Sequence, residues 1–238
     1  MKILTQVINL MMSLWVRSHP QTKSPTSKAK SLKELLTTDN IKSLYKEKGY
    51  KFFDGNKEFN INIIGVRRDN AGTNKFDDFI LVVYRDAELK EICKIYPATT
   101  DPGEHWLKNP MNPKGTAVLT TGQHRGAWTI GKHQNNYTAL VQCKPLKVWR
   151  DNNKDEIIDY NNISTVVDNG YFGINIHRSN PYDKSYLVNK WSAGCQVFQA
   201  VADFNEFVAL CKKSANLYGN SFSYTLITEQ DLRDHLNQ

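Results

Sequence analysis

The chain has 238 residues, of which 40% are hydrophobic, 11% are aromatic and 23% are charged. These values exclude a collagen, a low-complexity chain and a wholly disordered protein, and no apolar run reaches the roughly 18 residues that a membrane span needs. The net charge is +7, and residues 1–51, with 10 basic and 3 acidic side chains, carry the whole excess. Because the rest of the chain is neutral, we expect no nucleic-acid partner.

The N-terminus is predicted to be a basic leader. Apolar side chains recur at helical spacing within residues 1–17, namely Ile3, Val7, Leu10, Met11 and Leu14. This pattern predicts an amphipathic helix or leader, and the Ser, Thr, Pro and Lys of residues 18–31 predict a flexible basic linker. A membrane-surface helix, a docking helix and an export signal all remain open. The positive charge suits an anionic membrane, a wall polymer or an assembly partner, and a solvated leader is the plainer alternative.

The remainder predicts a helical lead-in over residues 32–58 and one domain over residues 59–238. Short β-rich runs dominate this domain: NINIIGV, DFILVVY, KEICKIYPA, GTAVLTTG, GAWTIG, YTALVQC, PLKVWRD, GYFGINIH and CQVF. A long helix is predicted from an N-cap near Asp203, followed by the strand SFSYTLIT and the short helix EQDLRDHL. The predicted fold class is mainly β with a few helices (α+β).

A histidine and a cysteine stand out in the segment 170–198. In the predicted strand 171–177, alternation divides the side chains into an apolar face of Phe172, Ile174 and Ile176 and an opposite face of Tyr171, Gly173, Asn175 and His177. His177 therefore ends the strand on its polar face, where a site can open. Cys195 follows a turn with the sequence Trp191-Ser192-Ala193-Gly194.

These residue types suit acyl transfer by a thiol. A cysteine is a nucleophile only as the thiolate, so it needs an imidazole or another positive influence nearby. Gly194 allows the backbone to approach a substrate, and we expect the amides of Gly194 and Cys195 to stabilise an oxyanion. Ser192 is expected to hydrogen-bond the imidazole or the substrate. The alternative is a structural cysteine after a tight turn, with His177 a satisfied surface histidine.

The pattern of His177, 14 intervening residues and Ser192-Ala193-Gly194-Cys195 resembles the active-site signature of the L,D-transpeptidase catalytic domain. Residues 97–103 and 122–130 also resemble segments of that family, so the resemblance spans about residues 60–228. It implies a β-sandwich or barrel without a cofactor. It further implies that Cys195 is the nucleophile and His177 the general base, with Ser192 and Gly194 as supporting motif positions.

The resemblance implies action on the tetrapeptide stem of peptidoglycan, through a thioester acyl-enzyme, in the cell envelope or delivered there by a phage or a secretion system. The thioester would pass to an amine (L,D-transpeptidase) or to water (L,D-carboxypeptidase). The chain departs from the family at Arg178, where Gly is usual, and at Val197, where Arg or Asn is usual. Two alternatives therefore stay open: a lytic endopeptidase, such as a phage lysin or secreted effector, and a non-catalytic wall-binding or structural component. We expect substrate contacts from Asn175, Arg178, Gln196, Trp191 and His124.

A calcium loop is a further candidate site. Oxygen-bearing side chains occupy its positions 1, 3, 5 and 9, namely Asp151, Asn153, Asp155 and Asp159. Glu156 stands at position 6, where Gly is wanted, and Asn162 stands at position 12 instead of Glu. A polar hairpin is the alternative. The histidine spacings match no zinc site.

The other three cysteines are expected to be structural. Cys93 and Cys143 lie on predicted strands and are expected to be buried thiols, although a disulfide between them stays open. Cys211 fits the buried side of the predicted long helix.

Overall fold

The computed structural model describes residues 30–68, 74–158, 160 and 167–237. The helix predicted over 1–17, most of the linker and Asp159 of the calcium loop lie outside the described residues. The chain divides into two units, Met1–Ser31 and Leu32–Gln238, and the second unit holds every element named below. None of the described helices is long and apolar enough to cross a membrane.

Five helices are described: α1 (Leu32–Leu35), α2 (Thr38–Glu47), α3 (Glu104–Lys108), α4 (Val201–Tyr218) and α5 (Glu229–Leu236). The strands in the same residues are β1 (Asn62–Arg67), β2 (Asp78–Arg85), β3 (Glu91–Thr99), β4 (Thr116–Leu119), β5 (Gly122–His133), β6 (Tyr137–Gln142), β7 (Leu146–Asp151), β8 (Asp168–Gly170), β9 (Ile176–Arg178), β10 (Gln196–Phe198) and β11 (Phe222–Thr228). This content confirms the prediction of a mainly β fold with a few helices.

Eight of the strands close into a barrel in the order β1-β11-β5-β6-β9-β10-β3-β2, and β4, β7 and β8 form a separate three-stranded sheet. The barrel is mixed, because β1 pairs with β11 and β9 pairs with β10 in parallel while its other pairs are antiparallel. The parallel pairing of β9 and β10 is the one that positions the candidate site.

Apolar side chains pack on both faces of β1 and β2, which explains why these strands have nearly continuous apolar sequences. Ile63, Ile80 and Val82 face the core inside the barrel, around Trp128. Ile64, Val66, Leu81 and Val83 belong to a second core, which they form with side chains from α1, α2 and α5. Three of the helices thereby cover one outer face of the barrel.

Several boundaries differ from the predictions. The lead-in is two helices rather than one stretch, because Thr37 has an extended backbone and its side chain caps α2 by accepting from the Asn40 amide. The long helix begins at Val201 with Ala200 as its N-cap, so the N-cap predicted near Asp203 is wrong. The run 171–177 is not one strand, since only Ile176 and His177 of it lie in β9.

Candidate active site around Cys195

The register of β9 and β10 brings the predicted pair to one face of the barrel wall. Val197 lies opposite His177 in the parallel ladder, and the Gln196 amide donates to the Asn175 carbonyl at 2.9 Å. Cys195 therefore lies beside Asn175, two residues back along the ladder from His177. Two residues of strand rise about 6.6 Å, and side chains two apart point to the same face. The register thus puts Cys195 and His177 at diagonal positions on one face.

The Cys195 thiol is half-buried and is held by main-chain groups of the neighbouring segment. Its Sγ accepts a hydrogen bond from the Asn175 amide at 3.4 Å and donates to the Gly173 carbonyl at 3.4 Å. Val197, Val188 and Phe76 form a small apolar cluster against it. Because burial raises the pKa of the Cys195 thiol to about 11, the resting group is a neutral thiol.

His177 is buried, with 3% of its surface exposed, and its Nδ1 is fixed. This nitrogen lies 2.7 Å from the Arg178 carbonyl oxygen and 3.2 Å from the Tyr137 hydroxyl. A carbonyl oxygen only accepts, so Nδ1 carries the proton and Nε2 keeps its lone pair. Among the described residues, none forms a hydrogen bond to Nε2. Burial, followed by the neighbouring His133, lowers the pKa of His177 to about 3, so the ring is neutral.

His133 is a site residue that the sequence did not single out. Its ring stacks on that of His177 with centroids 4.0 Å apart and planes at 19°. The Asn175 side-chain amide meets its Nδ1 at 3.0 Å, so Nδ1 accepts and Nε2 carries the proton. His133 ends β5, and the β5, β6 and β9 pairings bring it to His177. No linear spacing signals such a contact.

The loop before Cys195 is locked by its own hydrogen bonds. Ser192 Oγ donates to the Cys195 carbonyl at 2.8 Å and accepts from the Gly194 amide at 3.2 Å. The Gly194 amide is therefore occupied, which corrects its predicted role as an oxyanion donor; among the described residues, none accepts from the Cys195 amide. Gly194 itself is required by packing, since its φ is +116° and a Cβ there would lie 2.3 Å from the Ala117 carbonyl oxygen.

Helix α3, which the sequence did not predict, braces the same loop. The Gly103 amide donates to the Ser192 carbonyl at 2.8 Å, and the Trp106 indole donates to the Lys190 carbonyl at 3.1 Å. A groove of about 270 Å³ lies beside the loop, lined by Ala193 together with Trp106, Tyr171 and Phe172 among others. The groove has aromatic walls and polar groups, among them Asn112 and Arg150, and it reaches the loop two residues before Cys195.

The predicted substrate contacts have different outcomes. Gln196 has no exposed surface; it donates to the carbonyls of Thr100 and Gly194 and accepts from the Tyr224 hydroxyl. This corrects its predicted role, because a side chain that faces the barrel interior holds the loop and cannot meet a substrate. Trp191 is 40% exposed beside the loop and remains a candidate contact.

The other three predicted contacts engage the protein itself. Asn175 bonds His133 through its amide nitrogen, and its carbonyl oxygen accepts from the Gln142 amide. Arg178 lies over the Tyr137 ring at 4.0 Å and acts on His177 through its own carbonyl. The Nε2 atom of His124 lies 3.0 Å from the Thr120 carbonyl oxygen. Among the described residues, His124 has no hydrogen bond to Cys195.

The predicted calcium loop shows local hydrogen bonds in its described part. Asp151 is buried at the end of β7, and both Asp155 oxygens are engaged, one by the Asn153 side chain and one by the Ile157 amide. No group of three or more His, Cys, Asp or Glu that could hold a metal occurs among the described residues. Asp159 and Asn162 lie outside them.

The remaining cysteines are free thiols. Cys211 is buried as predicted, and Cys93 is half-buried, but Cys143 is exposed, which corrects the prediction of a buried thiol. Cys143 follows β6 directly, and its thiol donates to the Gly126 carbonyl at 3.6 Å on the exposed side.

Comparison of the chain with protein-family models, with curated proteins and with solved structures finds no match.

Proposed function

We propose that this protein is a cysteine-dependent acyltransferase of the L,D-transpeptidase type, acting on the stem peptides of peptidoglycan. The observation that supports the proposal is the pairing of β9 with β10, whose register puts Cys195 and His177 on the same face, together with a tautomer that leaves His177 Nε2 unprotonated. Nucleophile, base and an orienting third group are the elements of thiol acyl transfer. Here the third group is the Arg178 carbonyl.

In the proposed reaction, the Cys195 thiol and the His177 imidazole both start uncharged. When the thiol meets the stem carbonyl, its proton passes to His177 Nε2 as the carbon–sulfur bond forms. His177 then delivers that proton to the leaving amine, the carbon–nitrogen bond breaks and a thioester remains. An acceptor amine or water then attacks the thioester while His177 takes the acceptor's proton. The carbon–sulfur bond breaks, and His177 returns that proton to the sulfur, which restores the thiol. Because the Gly194 amide is occupied, the Cys195 amide is the loop's available donor for the oxyanion.

A non-catalytic wall-binding component is the second candidate, and one observation favours it. Burial disfavours the thiolate of Cys195 and the imidazolium of His177 alike. Active sites of cysteine proteases usually stabilise the thiolate already in the resting enzyme. In the proposed enzyme, substrate binding therefore has to supply the driving force for proton transfer.

Purified sacculi decide between these candidates. Wild type, Cys195→Ala and the matched control Cys143→Ala are incubated with sacculi, and the released muropeptides are analysed by mass spectrometry. Acyl transfer predicts new crosslinks or shortened stems with wild type and Cys143→Ala, and neither with Cys195→Ala. Lost crosslinks would identify a lytic endopeptidase. Equal sacculus binding by all three proteins, without any change in the muropeptides, would support the wall-binding component.

A further inference from the structure

A polar cavity of about 390 Å³ lies where β5 begins, β6 ends and α4 turns into β11. Arg125 and Lys144 line it, and no carboxylate is among the described residues that do so. Its other polar lining residues are Asn60, Ser214, Tyr218, Ser221 and Ser223. The cavity therefore concentrates hydrogen-bond donors and positive charge, although residues 52–238 as a whole carry no net charge.

The two cations are held in place without being neutralised. The Arg125 guanidinium lies over the Phe53 ring, 5.4 Å from its centroid, and the Lys144 ammonium donates to the Arg125 carbonyl at 3.3 Å. Within the part of the chain that the structure describes, neither cation forms an ion pair with an acid. Of the lining residues, Tyr218 has its phenol pKa raised, first by burial and then by the charge of Glu58, which does not itself line the cavity. Both cations thus keep their charge available for a ligand.

Gly126 has no side chain, so the Ser221 hydroxyl and the Lys144 ammonium both lie close to its backbone. Its φ is +58°, and a Cβ there would lie 2.9 Å from Ser221 Oγ and 3.0 Å from Lys144 Nζ. Only glycine allows the hydroxyl and the ammonium this close to one point of the backbone without strain. The Gly126 amide donates to Ser223 Oγ at 3.0 Å, which leaves the Ser223 hydroxyl proton to donate outward.

We propose that this cavity binds the phosphate group of a small phosphate ester. An ammonium, a guanidinium and two hydroxyls around one opening match the several acceptor oxygens and the negative charge of a phosphate. A carboxylate, with two oxygens and one charge, would leave donors unused. The rings of Phe53, Tyr218 and Phe222 line the same cavity and offer an apolar wall to the organic part of the ester. The inference does not depend on Cys195.

The test is a titration of the full chain at constant ionic strength. Two-dimensional NMR monitors binding through the backbone amide signals of Gly126, Ser221 and Ser223. The probes are glycerol 3-phosphate, inorganic phosphate and acetate. We expect saturable shifts with glycerol 3-phosphate, weaker binding of inorganic phosphate and no saturation with acetate. Loss of one charge-assisted contact corresponds to about a tenfold rise in Kd, which we expect for both Arg125→Gln and Lys144→Gln.

Lys147→Gln is the matched control, because Lys147 is also exposed, lies three residues from Lys144 and does not line the cavity. It should bind glycerol 3-phosphate like wild type. Non-saturable shifts, acetate binding as tight as phosphate binding, or equal weakening by Lys147→Gln and Lys144→Gln would each overturn the site. Inorganic phosphate binding more tightly than the ester would overturn the assignment to an ester. Near-ultraviolet circular dichroism of each variant checks that its fold is kept.

Discussion

The imidazole rings of His133 and His177 lie stacked, with centroids 4.0 Å apart, and each is neutral because burial lowers its pKa. Two imidazolium rings at this separation would repel each other in a medium of low dielectric constant. The stack therefore disfavours a second proton on the pair once one ring is charged. In the proposed reaction that proton is the one that His177 receives from Cys195.

Replacing His133 by phenylalanine keeps a ring on His177 but removes the second titrating group. Since His133 lowers the pKa of His177, we expect this pKa to rise in His133→Phe, while burial keeps it below the ordinary value. The His177 ring signals in an NMR pH titration measure the shift. His235→Phe, on the distant α5, serves as control and should leave the His177 titration as in wild type. An unchanged His177 pKa in His133→Phe would contradict the electrostatic coupling.

The reactivity of the thiols should follow their burial. Burial raises the pKa of the Cys195 thiol to about 11, so we expect slow alkylation of Cys195 by iodoacetamide at neutral pH and a rate that is still rising with pH at about pH 9. The exposed Cys143 should be alkylated first. Peptide mapping by mass spectrometry after timed labelling measures both rates. A Cys195 rate that levels off below about pH 7 would instead indicate a resting thiolate–imidazolium pair.

Gly194 should tolerate no side chain. A Cβ at this position would lie 2.3 Å from the Ala117 carbonyl oxygen, at a φ of +116°. We expect Gly194→Ala to lower the free energy of unfolding by about 3 kcal/mol, from strain and displacement of β4 together. Urea denaturation measures the loss.

Gly173→Ala is the matched control for that variant. Gly173 also has a positive φ, +70°, but nothing lies within 4 Å of its Cβ position. Only backbone strain remains there, and it costs about 1 kcal/mol. Equal losses in the two variants would mean that contact with Ala117 does not fix the loop.

The sequence predicted the strands better than the site. Apolar runs such as DFILVVY predicted β2 because both faces of that strand are buried, and the length of α4 was visible in its periodicity. Helix α3 was missed because it has only five residues and depends on tertiary contacts with the loop before Cys195. His133 was missed because the register of three strands, rather than spacing along the chain, brings it to His177. Gln196 was misassigned because the Tyr224 hydroxyl gives its side chain a buried hydrogen-bond partner inside the barrel, which alternation cannot reveal.

The neutral state of buried His177 should make the fold sensitive to acid. Its pKa is about 3 in the folded protein and about 6.5 in an unfolded chain, so unfolding takes up a proton at every pH between these values. The free energy of unfolding contributed by this group therefore falls as the pH drops below about 6.5, by up to about 1.4 kcal/mol per pH unit. His177→Gln removes this dependence.

The protonation of Asp78 changes the free energy of unfolding in the opposite direction. The effect of His177 is therefore measured by comparing variants with wild type. Burial, followed by the Asp101 charge, raises the pKa of Asp78 to about 7, and the folded protein therefore holds a proton there that the unfolded chain releases above about pH 4. This contribution favours the fold as the pH falls and partly conceals that of His177 in wild type. Asp78 is present in both proteins, so its contribution cancels when wild type and His177→Gln are compared. Urea denaturation between about pH 4.5 and 6.5 measures how the free energy of unfolding changes with pH in each protein. We expect this slope to be less positive in His177→Gln than in wild type. The control variant is His105→Gln, at the half-buried His105 on α3. If the free energy of unfolding had the same slope against pH in His177→Gln as in His105→Gln, a neutral, buried His177 would be contradicted.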